Sequence, residues 1–137
     1  MPQLRRLPVA DRDAAFIEEG AGAPLLFIHG ALCDARYWTP QLHHFGKTRR
    51  AIALSLRHCW PDAWNGEADY TATRHVEDII AFIEALGAGP VDLVGHSRGG
   101  RLALHVAARA PHAVRRLALY QPGGAYDATF LRSEEHT

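Results

Sequence analysis

One glycine-framed turn constrains the fold of this chain more than any other feature. The run Gly95-His96-Ser97-Arg98-Gly99-Gly100 follows an apolar stretch at residues 90–94 and precedes a helix-like pattern at residues 101–109. Glycine permits backbone conformations and close approaches that a side chain prevents. The run therefore predicts a tight turn between a strand and a helix.

Strand-like and helix-like segments alternate along the rest of the 137 residues. This alternation predicts a single α/β domain with a mostly parallel sheet and helices on both faces. The predicted strands are Leu7–Ala10, Ala14–Glu18, Leu25–His29, Ala51–Leu56, Val91–Gly95 and Leu117–Tyr120. The predicted helices are Pro40–Phe45, Thr71–Leu86 and Gly99–Arg109.

Residues at the ends of these segments predict where they begin and stop. Thr39 is predicted to cap the first helix, and Gly46 is predicted to end it. Gly87 is predicted to end the second helix. Asp11-Arg12-Asp13 is predicted to form the turn between the first two strands.

The charge balance and the apolar pattern exclude several classes of partner. The chain contains fifteen Lys and Arg residues and fifteen Asp and Glu residues. Because these charges balance, no basic surface for nucleic acid or an anionic membrane is predicted. No apolar run approaches the roughly 20 residues that cross a bilayer, and Met1–Gly20 lacks the apolar centre of a signal peptide. We therefore expect a cytoplasmic protein in which Cys33 and Cys59 are reduced thiols.

The turn around Ser97 fits the pattern G-x-S-x-G, in which a serine hydroxyl stands on a tight strand-to-helix turn. Gly95 and Gly99 keep side chains out of that turn. The helix that follows directs the positive end of its dipole at charge that develops beside the serine. Ser97 is therefore predicted to be a catalytic nucleophile; the alternative is a glycine-rich structural turn that happens to contain serine.

A second turn follows the apolar strand that ends in Phe27-Ile28-His29-Gly30-Ala31-Leu32. Acyl transfer through a serine passes through an oxyanion, which needs two aimed hydrogen-bond donors. The predicted donors are the backbone N–H groups of Arg98 and Ala31. His29 stands before the turn and is predicted to bond to backbone as a structural residue rather than to transfer a proton.

These motifs together resemble the α/β-hydrolase superfamily. The matching elements are His29-Gly30 after one central strand, GHSRGG after another, and Glu84-Ala85-Leu86-Gly87 at the end of the helix between them. The resemblance extends to about Gly124 and implies the N-terminal part of that fold, about six strands, with Ser97 at the nucleophile position.

The resemblance also limits the chemistry. Members hydrolyse esters, lactones, amides, thioesters, epoxides, haloalkanes and some C–C bonds. A serine nucleophile favours acyl transfer from a small-molecule substrate, because the dehalogenases and epoxide hydrolases of the family use aspartate there. Two alternatives stay open: a non-catalytic ligand-binding protein on the same fold, and a lyase, C–C hydrolase or cofactor-free haloperoxidase that keeps the serine.

The chain departs from the family pattern after the fourth strand. Many relatives carry Asp-x-Arg-Gly-x-Gly there, whereas residues 55–60 read Ser-Leu-Arg-His-Cys-Trp and only Arg57 matches. The loop is therefore expected to follow a different path. Trp60 and Trp64 either wall a pocket for an apolar substrate or, as is more common, pack as loop core. The side chain of Arg98 is assigned no role.

The partners of the nucleophile are missing from the pattern. A serine needs a base to take its proton, and the family order is serine, acid, histidine. The histidines after the serine are His105, His112 and His136. None of these histidines is suitably placed to act as the base. Asp127 comes too early in the chain for the usual acid. Some relatives place the acid at the position of Gln121, whose side chain cannot ionise. We therefore expect an incomplete domain whose native part is 1–131, with a non-native tail at 132–137; the alternative is an ordinary charged tail.

No metal or cofactor is predicted. Nine histidines are present, but zinc-site spacings such as H-E-x-x-H and C-x-x-C are absent from the sequence. His43 and His44 are adjacent and point in different directions on a helix. The glycines around Ser97 do not fit the dinucleotide pattern G-x-G-x-x-G.

Overall fold

The computed structural model describes residues 2–64 and 71–122. The strands are β1 (Gln3–Val9), β2 (Arg12–Glu19), β3 (Pro24–Ile28), β4 (Arg50–Leu54), β5 (Val91–His96) and β6 (Val114–Tyr120). The helices are α1 (Thr39–Phe45), α2 (Ala72–Leu86) and α3 (Arg98–Arg109), with short 3-10 helices at Ala35–Trp38 and Pro111–Ala113. The predicted α/β class is confirmed.

The strands of the described residues form one sheet in the order β1-β2-β4-β3-β5-β6. β2 is antiparallel to both of its neighbours, whereas β4, β3, β5 and β6 are parallel to one another. The carboxyl ends of the four parallel strands therefore meet at one edge, where α/β proteins build their sites. Ile28 lies opposite Gly95 in the register, so the turns that follow β3 and β5 are neighbours at that edge.

Helices cover both faces of the sheet, as predicted, because the central strands are apolar on both sides. In β3, Leu26 and Ile28 belong to a core cluster that contains the buried residues of α2 and α3. Leu25 and Phe27, which point the other way, belong to a second cluster with Leu42 of α1. The sheet is therefore the central layer of the domain.

The outer strands are longer than predicted, and the first turn is displaced. β1 begins at Gln3 and β6 at Val114, because backbone pairing includes residues with exposed polar side chains that conceal the strand pattern. The turn predicted at residues 11–13 is wrong, since Arg12 already pairs with Val9 in the hairpin. The turn lies instead at Ala10 and Asp11.

The helix ends follow the sequence with one exception. Gly46 and Gly87 end α1 and α2 as predicted, and Gly87 adopts a left-handed φ of 67°. Thr39 does not cap α1, because it already has helical dihedrals and its hydroxyl donates to the carbonyl of Arg36 at 2.8 Å. Trp38 takes the cap position without a side-chain hydrogen bond.

The buried face of α2 carries more than an apolar stripe. Val76, Ile79 and Ile83 are buried as that stripe requires, but Phe82 and His75 are fully buried as well. A histidine without solvent exposure on a helix next to the sheet needs a polar partner, and that partner lies at the candidate site. Cys33 and Cys59 are not joined by a disulfide in the described part of the chain.

No helix in the described part of the chain has both the length and the apolar character that crossing a membrane requires.

Candidate active site

Ser97 joins β5 to α3 in a strained backbone conformation. Its φ of 54° and ψ of −122° lie outside the regions that residues with a Cβ normally adopt. The Ser97 N–H donates to the carbonyl of Tyr120 at 3.0 Å, and the Ser97 carbonyl accepts from the N–H of Gly100 at 2.8 Å. Two strands and a helix therefore hold this turn in place, and strain that the surrounding structure maintains in this way is typical of functional sites.

Close backbone approaches explain the glycines of the turn. A Cβ on Gly99 would overlap the carbonyl oxygens of Ile28 and His29, and a Cβ on Gly95 would overlap the carbonyl oxygen of Gly99. Neither obstruction is a flexible side chain, so these positions exclude any residue larger than glycine. Backbone from β3 can thereby reach the base of the turn that carries Ser97.

Gly30 brings the loop after β3 against the serine. A Cβ placed on Gly30 would lie 3.2 Å from the Cβ of Ser97 and 3.2 Å from the carbonyl oxygen of His96. The next residue, Ala31, is exposed, and its backbone N–H has no acceptor among the described residues. The predicted donors thus stand on two adjoining turns, since Arg98 is the first residue of α3.

His29 bonds to backbone through both ring nitrogens. It has no solvent exposure, its Nε2 accepts from the N–H of Leu56 at 3.0 Å, and its Nδ1 lies 2.9 Å from the carbonyl of Gly30. Because Nε2 is an acceptor, the proton is on Nδ1, which donates to Gly30. Burial lowers the pKa of His29 and keeps the ring neutral. The ring ties the turn after β3 to the end of β4, the arrangement expected of a structural histidine.

Arg98 has a side-chain partner that the sequence pattern does not suggest. Its Nη1 lies 2.9 Å from Nδ1 of His75, the fully buried histidine of α2. Burial, and then the nearby Arg98 charge, lower the pKa of His75 to about 3. The position of His75 one residue before Val76 could have indicated that its ring is buried, but it does not indicate Arg98 as the partner.

An ion-pair network fixes α2 beside this contact. Asp78 accepts two hydrogen bonds of 2.9 Å from Arg57, and Arg12 lies 3.6 Å away. Arg57 also bonds to Asp11 in the first hairpin turn. These partly buried pairs connect α2 to the hairpin and to the loop after β4. Arg57, the residue that matches the family pattern, therefore has a structural role in this loop.

The two tryptophans of that loop have different environments. Trp60 is partly buried against the core on the α1 face, and the guanidinium of Arg36 stacks over its ring at 4.1 Å. Asp34, in turn, holds that guanidinium at 2.9 and 3.0 Å. Trp64 is 64% exposed, so the prediction of loop-core packing agrees with the structure for Trp60 and is wrong for Trp64.

No base for Ser97 is found among residues 2–64 and 71–122. Its hydroxyl makes no hydrogen bond there, and the ring of the adjacent His96 packs between Tyr37 and Tyr120 at centroid distances of 4.7 and 5.0 Å. His105 is buried within α3, and His112 lies 3.8 Å from Glu84. Asp127 and His136, together with the predicted boundary at residue 131, lie outside the described residues.

The described residues contain no group of three or more His, Cys, Asp or Glu side chains that could hold a metal ion.

The two buried neutral histidines predict that the domain loses stability in mild acid. In the folded state the pKa values of His29 and His75 are lowered from 6.5. Below about pH 6.5 the unfolded chain therefore binds protons that the folded chain does not. The free energy of unfolding falls by roughly 1.4 kcal/mol per pH unit for His75, whose folded pKa is about 3, and His29 acts in the same direction. The lowered carboxylate pKa values of Asp11, Asp34 and Asp92 contribute only below about pH 4.

Urea unfolding of the full-length protein between pH 7.5 and pH 4.5 measures this effect. We expect the free energy of unfolding to be constant above pH 7 and to decline steadily from pH 6.5 downwards. Equal stability at pH 7.5 and pH 4.5 would show that neither ring is held neutral in the folded state.

Comparison with known proteins agrees with this architecture. A family model described as alpha/beta hydrolase fold matches residues 23–134. The chain is 34% identical over 125 residues to the (E)-2-((N-methylformamido)methylene)succinate hydrolase of Acinetobacter baylyi. The aligned region covers 90% of this chain and 46% of that protein. It is also 32% identical over 121 residues to a haloalkane dehalogenase of Mesorhizobium japonicum, and this alignment covers 88% of this chain and 39% of that protein.

The fold is similar to that of solved hydrolases. The crystal structure of an epoxide hydrolase from Vigna radiata matches with a TM-score of 0.80 and 28% identity, over 86% of this chain and 39% of that chain. The chain thus spans less than half the length of each of these three proteins. The residues that match the family model include both turns that meet beside Ser97. By sequence and by fold, the chain belongs to the α/β-hydrolase family.

Proposed function

We propose that the full-length protein containing this chain is a serine hydrolase that cleaves a small ester, lactone or other acyl compound, with Ser97 as the nucleophile. The observation that carries this proposal is the backbone of Ser97. A serine at φ 54° and ψ −122°, at the carboxyl edge of a parallel sheet and at the start of a helix, has the geometry that presents a hydroxyl to a substrate.

The reaction follows from the groups that surround Ser97. The Ser97 oxygen attacks the carbonyl carbon of the substrate while a base takes the hydroxyl proton, and the carbonyl oxygen becomes negative. The backbone N–H groups of Ala31 and Arg98 stabilise that oxyanion. Collapse expels the leaving group, which receives the proton, and leaves an acyl group on Ser97. Water then attacks the acyl-enzyme and releases the acid. The base and its acid come from outside residues 2–64 and 71–122.

Serine also determines which bonds the site can turn over. When a carboxylate displaces a halide or opens an epoxide, it forms an ester that water can cleave. A serine hydroxyl that did the same would form an ether, which water does not cleave under these conditions. The haloalkane dehalogenase and the epoxide hydrolase that resemble this chain therefore inform its fold, whereas Ser97 favours acyl transfer.

One observation favours a second candidate function. Because the Ser97 hydroxyl has no base among the described residues, a protein that binds a ligand without turning it over is the alternative. A complete sequence with neither an acid nor a late histidine after residue 137 would support that alternative.

A substrate panel tests the proposal on the full-length protein. We expect release of p-nitrophenol from short-chain p-nitrophenyl esters, and complete inhibition by a fluorophosphonate at one equivalent per site. We expect neither halide release from a 1-haloalkane nor diol formation from styrene oxide. Halide release or diol formation that is insensitive to the fluorophosphonate would contradict serine chemistry, and no turnover of any member would favour the binding protein.

A further inference from the structure

The side chain of Arg98 crosses from the turn to the neighbouring helix. Arg98 follows Ser97 and occupies the first position of α3. Its guanidinium Nη1 lies 2.9 Å from Nδ1 of His75 on α2. His75 has no solvent exposure, whereas Arg98 is partly exposed. The contact therefore connects the most strained part of the site to a buried point of the core.

The chemistry of the two groups fixes the direction of this hydrogen bond. A guanidinium can only donate, so Nδ1 of His75 is the acceptor and its ring proton is on Nε2. His29 has the opposite tautomer, with its proton on Nδ1. A ring that keeps a lone pair on Nδ1 can hold the guanidinium, and a protonated ring cannot. The lowered pKa of His75 keeps this acceptor available at neutral pH.

The helix that carries His75 is itself held firmly. Asp78, three residues further along, lies on the same side of α2 and is bound by Arg57 through two hydrogen bonds. Asp11 accepts hydrogen bonds from Arg57 and from Arg74 on the same helix. Arg98 is therefore anchored to a part of the molecule that ion pairs connect to two other elements.

We propose that His75 is a positioning residue: it accepts a hydrogen bond from the Arg98 side chain and so holds the Arg98 N–H at the place where the oxyanion forms. This inference rests on the proposed function, because it concerns a donor of that reaction. Oxyanion stabilisation requires donors that are already in place when the charge develops. An unanchored Arg98 lets the first residue of α3 shift, and shifts of about 1 Å at such donors slow reactions substantially.

Two substitutions of His75 in the full-length protein test this proposal. His75→Leu fills the space but removes the acceptor, and His75→Asn keeps an acceptor at the place of Nδ1. We expect His75→Leu to lower kcat about 10-fold, with KM changed less than about twofold, because the loss falls on the transition state. We expect His75→Asn to restore kcat to within about threefold of the original value.

The matched control is His105→Leu. His105 is also a buried histidine on a helix, and its Nε2 makes no hydrogen bond among the described residues. We expect this variant to keep the original kcat, so that loss of a buried imidazole alone is separated from loss of the Arg98 partner. Thermal melting of all three variants shows whether each is folded at the assay temperature.

A substitution of Arg98 keeps the proposal testable even if His75→Leu fails to fold. Arg98→Met keeps the backbone N–H and removes the guanidinium, and it should lower kcat as His75→Leu does. Where His75→Leu folds, adding it to Arg98→Met should produce no further change. Unchanged kcat in Arg98→Met overturns the positioning role. If, instead, Ser97→Ala hydrolyses the ester as fast as the original protein, the proposed function itself is wrong.

Discussion

Replacing Ser97 with alanine is expected to lower kcat for a p-nitrophenyl ester by about 10⁴-fold or more, with little change in KM. Alanine differs from serine only by the hydroxyl oxygen, and it accommodates a φ of 54° no worse than serine does. The turn therefore keeps its shape, and the substrate still binds. What is lost is the atom that attacks the carbonyl carbon, so the measured change reports chemistry rather than folding.

Ser55→Ala is the matched control for this experiment. Ser55 is buried at the end of β4, and its Oγ accepts a hydrogen bond from the N–H of Ala35 at 3.1 Å. We expect Ser55→Ala to lower the free energy of unfolding by about 1 kcal/mol while it keeps the original kcat. If Ser97→Ala and Ser55→Ala had the same kcat, Ser97 could not be the nucleophile.

Replacing Gly99 with alanine is expected to destabilise the domain strongly. The new Cβ would overlap two backbone carbonyl oxygens of the β3 end, those of Ile28 and His29. Neither oxygen can rotate away, so α3 must move off the sheet. We expect the free energy of unfolding to fall by about 3 kcal/mol, at the upper end of the usual cost of overpacking, and ester hydrolysis to be lost together with the geometry of the turn.

Gly100→Ala supplies the comparison one residue further along the same helix. There the nearest atoms to a new Cβ are Cβ of Pro122 at 3.1 Å and the carbonyl oxygen of Gly95 at 3.3 Å. This mild crowding is offset by the higher helix propensity of alanine, worth about 1 kcal/mol. Urea unfolding should therefore show Gly100→Ala near the original stability. Equal stability of the two variants would show that α3 does not pack against β3 in the way described.

Local patterns were sufficient to predict the turn and its surroundings. Apolar runs identified the central strands, because strands buried on both faces need continuous hydrophobic residues. The glycines around Ser97 indicated close backbone approaches, and the structure shows those approaches at Gly95 and Gly99. Gly30 lies against Ser97 because β3 and β5 are parallel neighbours whose carboxyl ends share an edge.

Contacts between distant residues could not be predicted in the same way. The Arg98–His75 hydrogen bond joins residues 23 positions apart on two helices, and no local pattern encodes such a pair. The predicted sixth strand is shorter than the observed β6, because Arg115 and Arg116 interrupt the apolar pattern. In the structure Arg115 pairs with Asp92 of β5 at 2.8 Å. Trp64 was expected to pack because it is large and apolar, yet the loop leaves it exposed.

Peptide mass spectrometry of the trapped acyl-enzyme tests the nucleophile most directly. The full-length protein is mixed with a p-nitrophenyl ester, quenched in acid during the steady state and digested. The account predicts that the mass of one acyl group appears on the peptide containing Ser97, and that this adduct is absent from Ser97→Ala. An acyl group on a different residue, retained in Ser97→Ala, would contradict the assignment of Ser97.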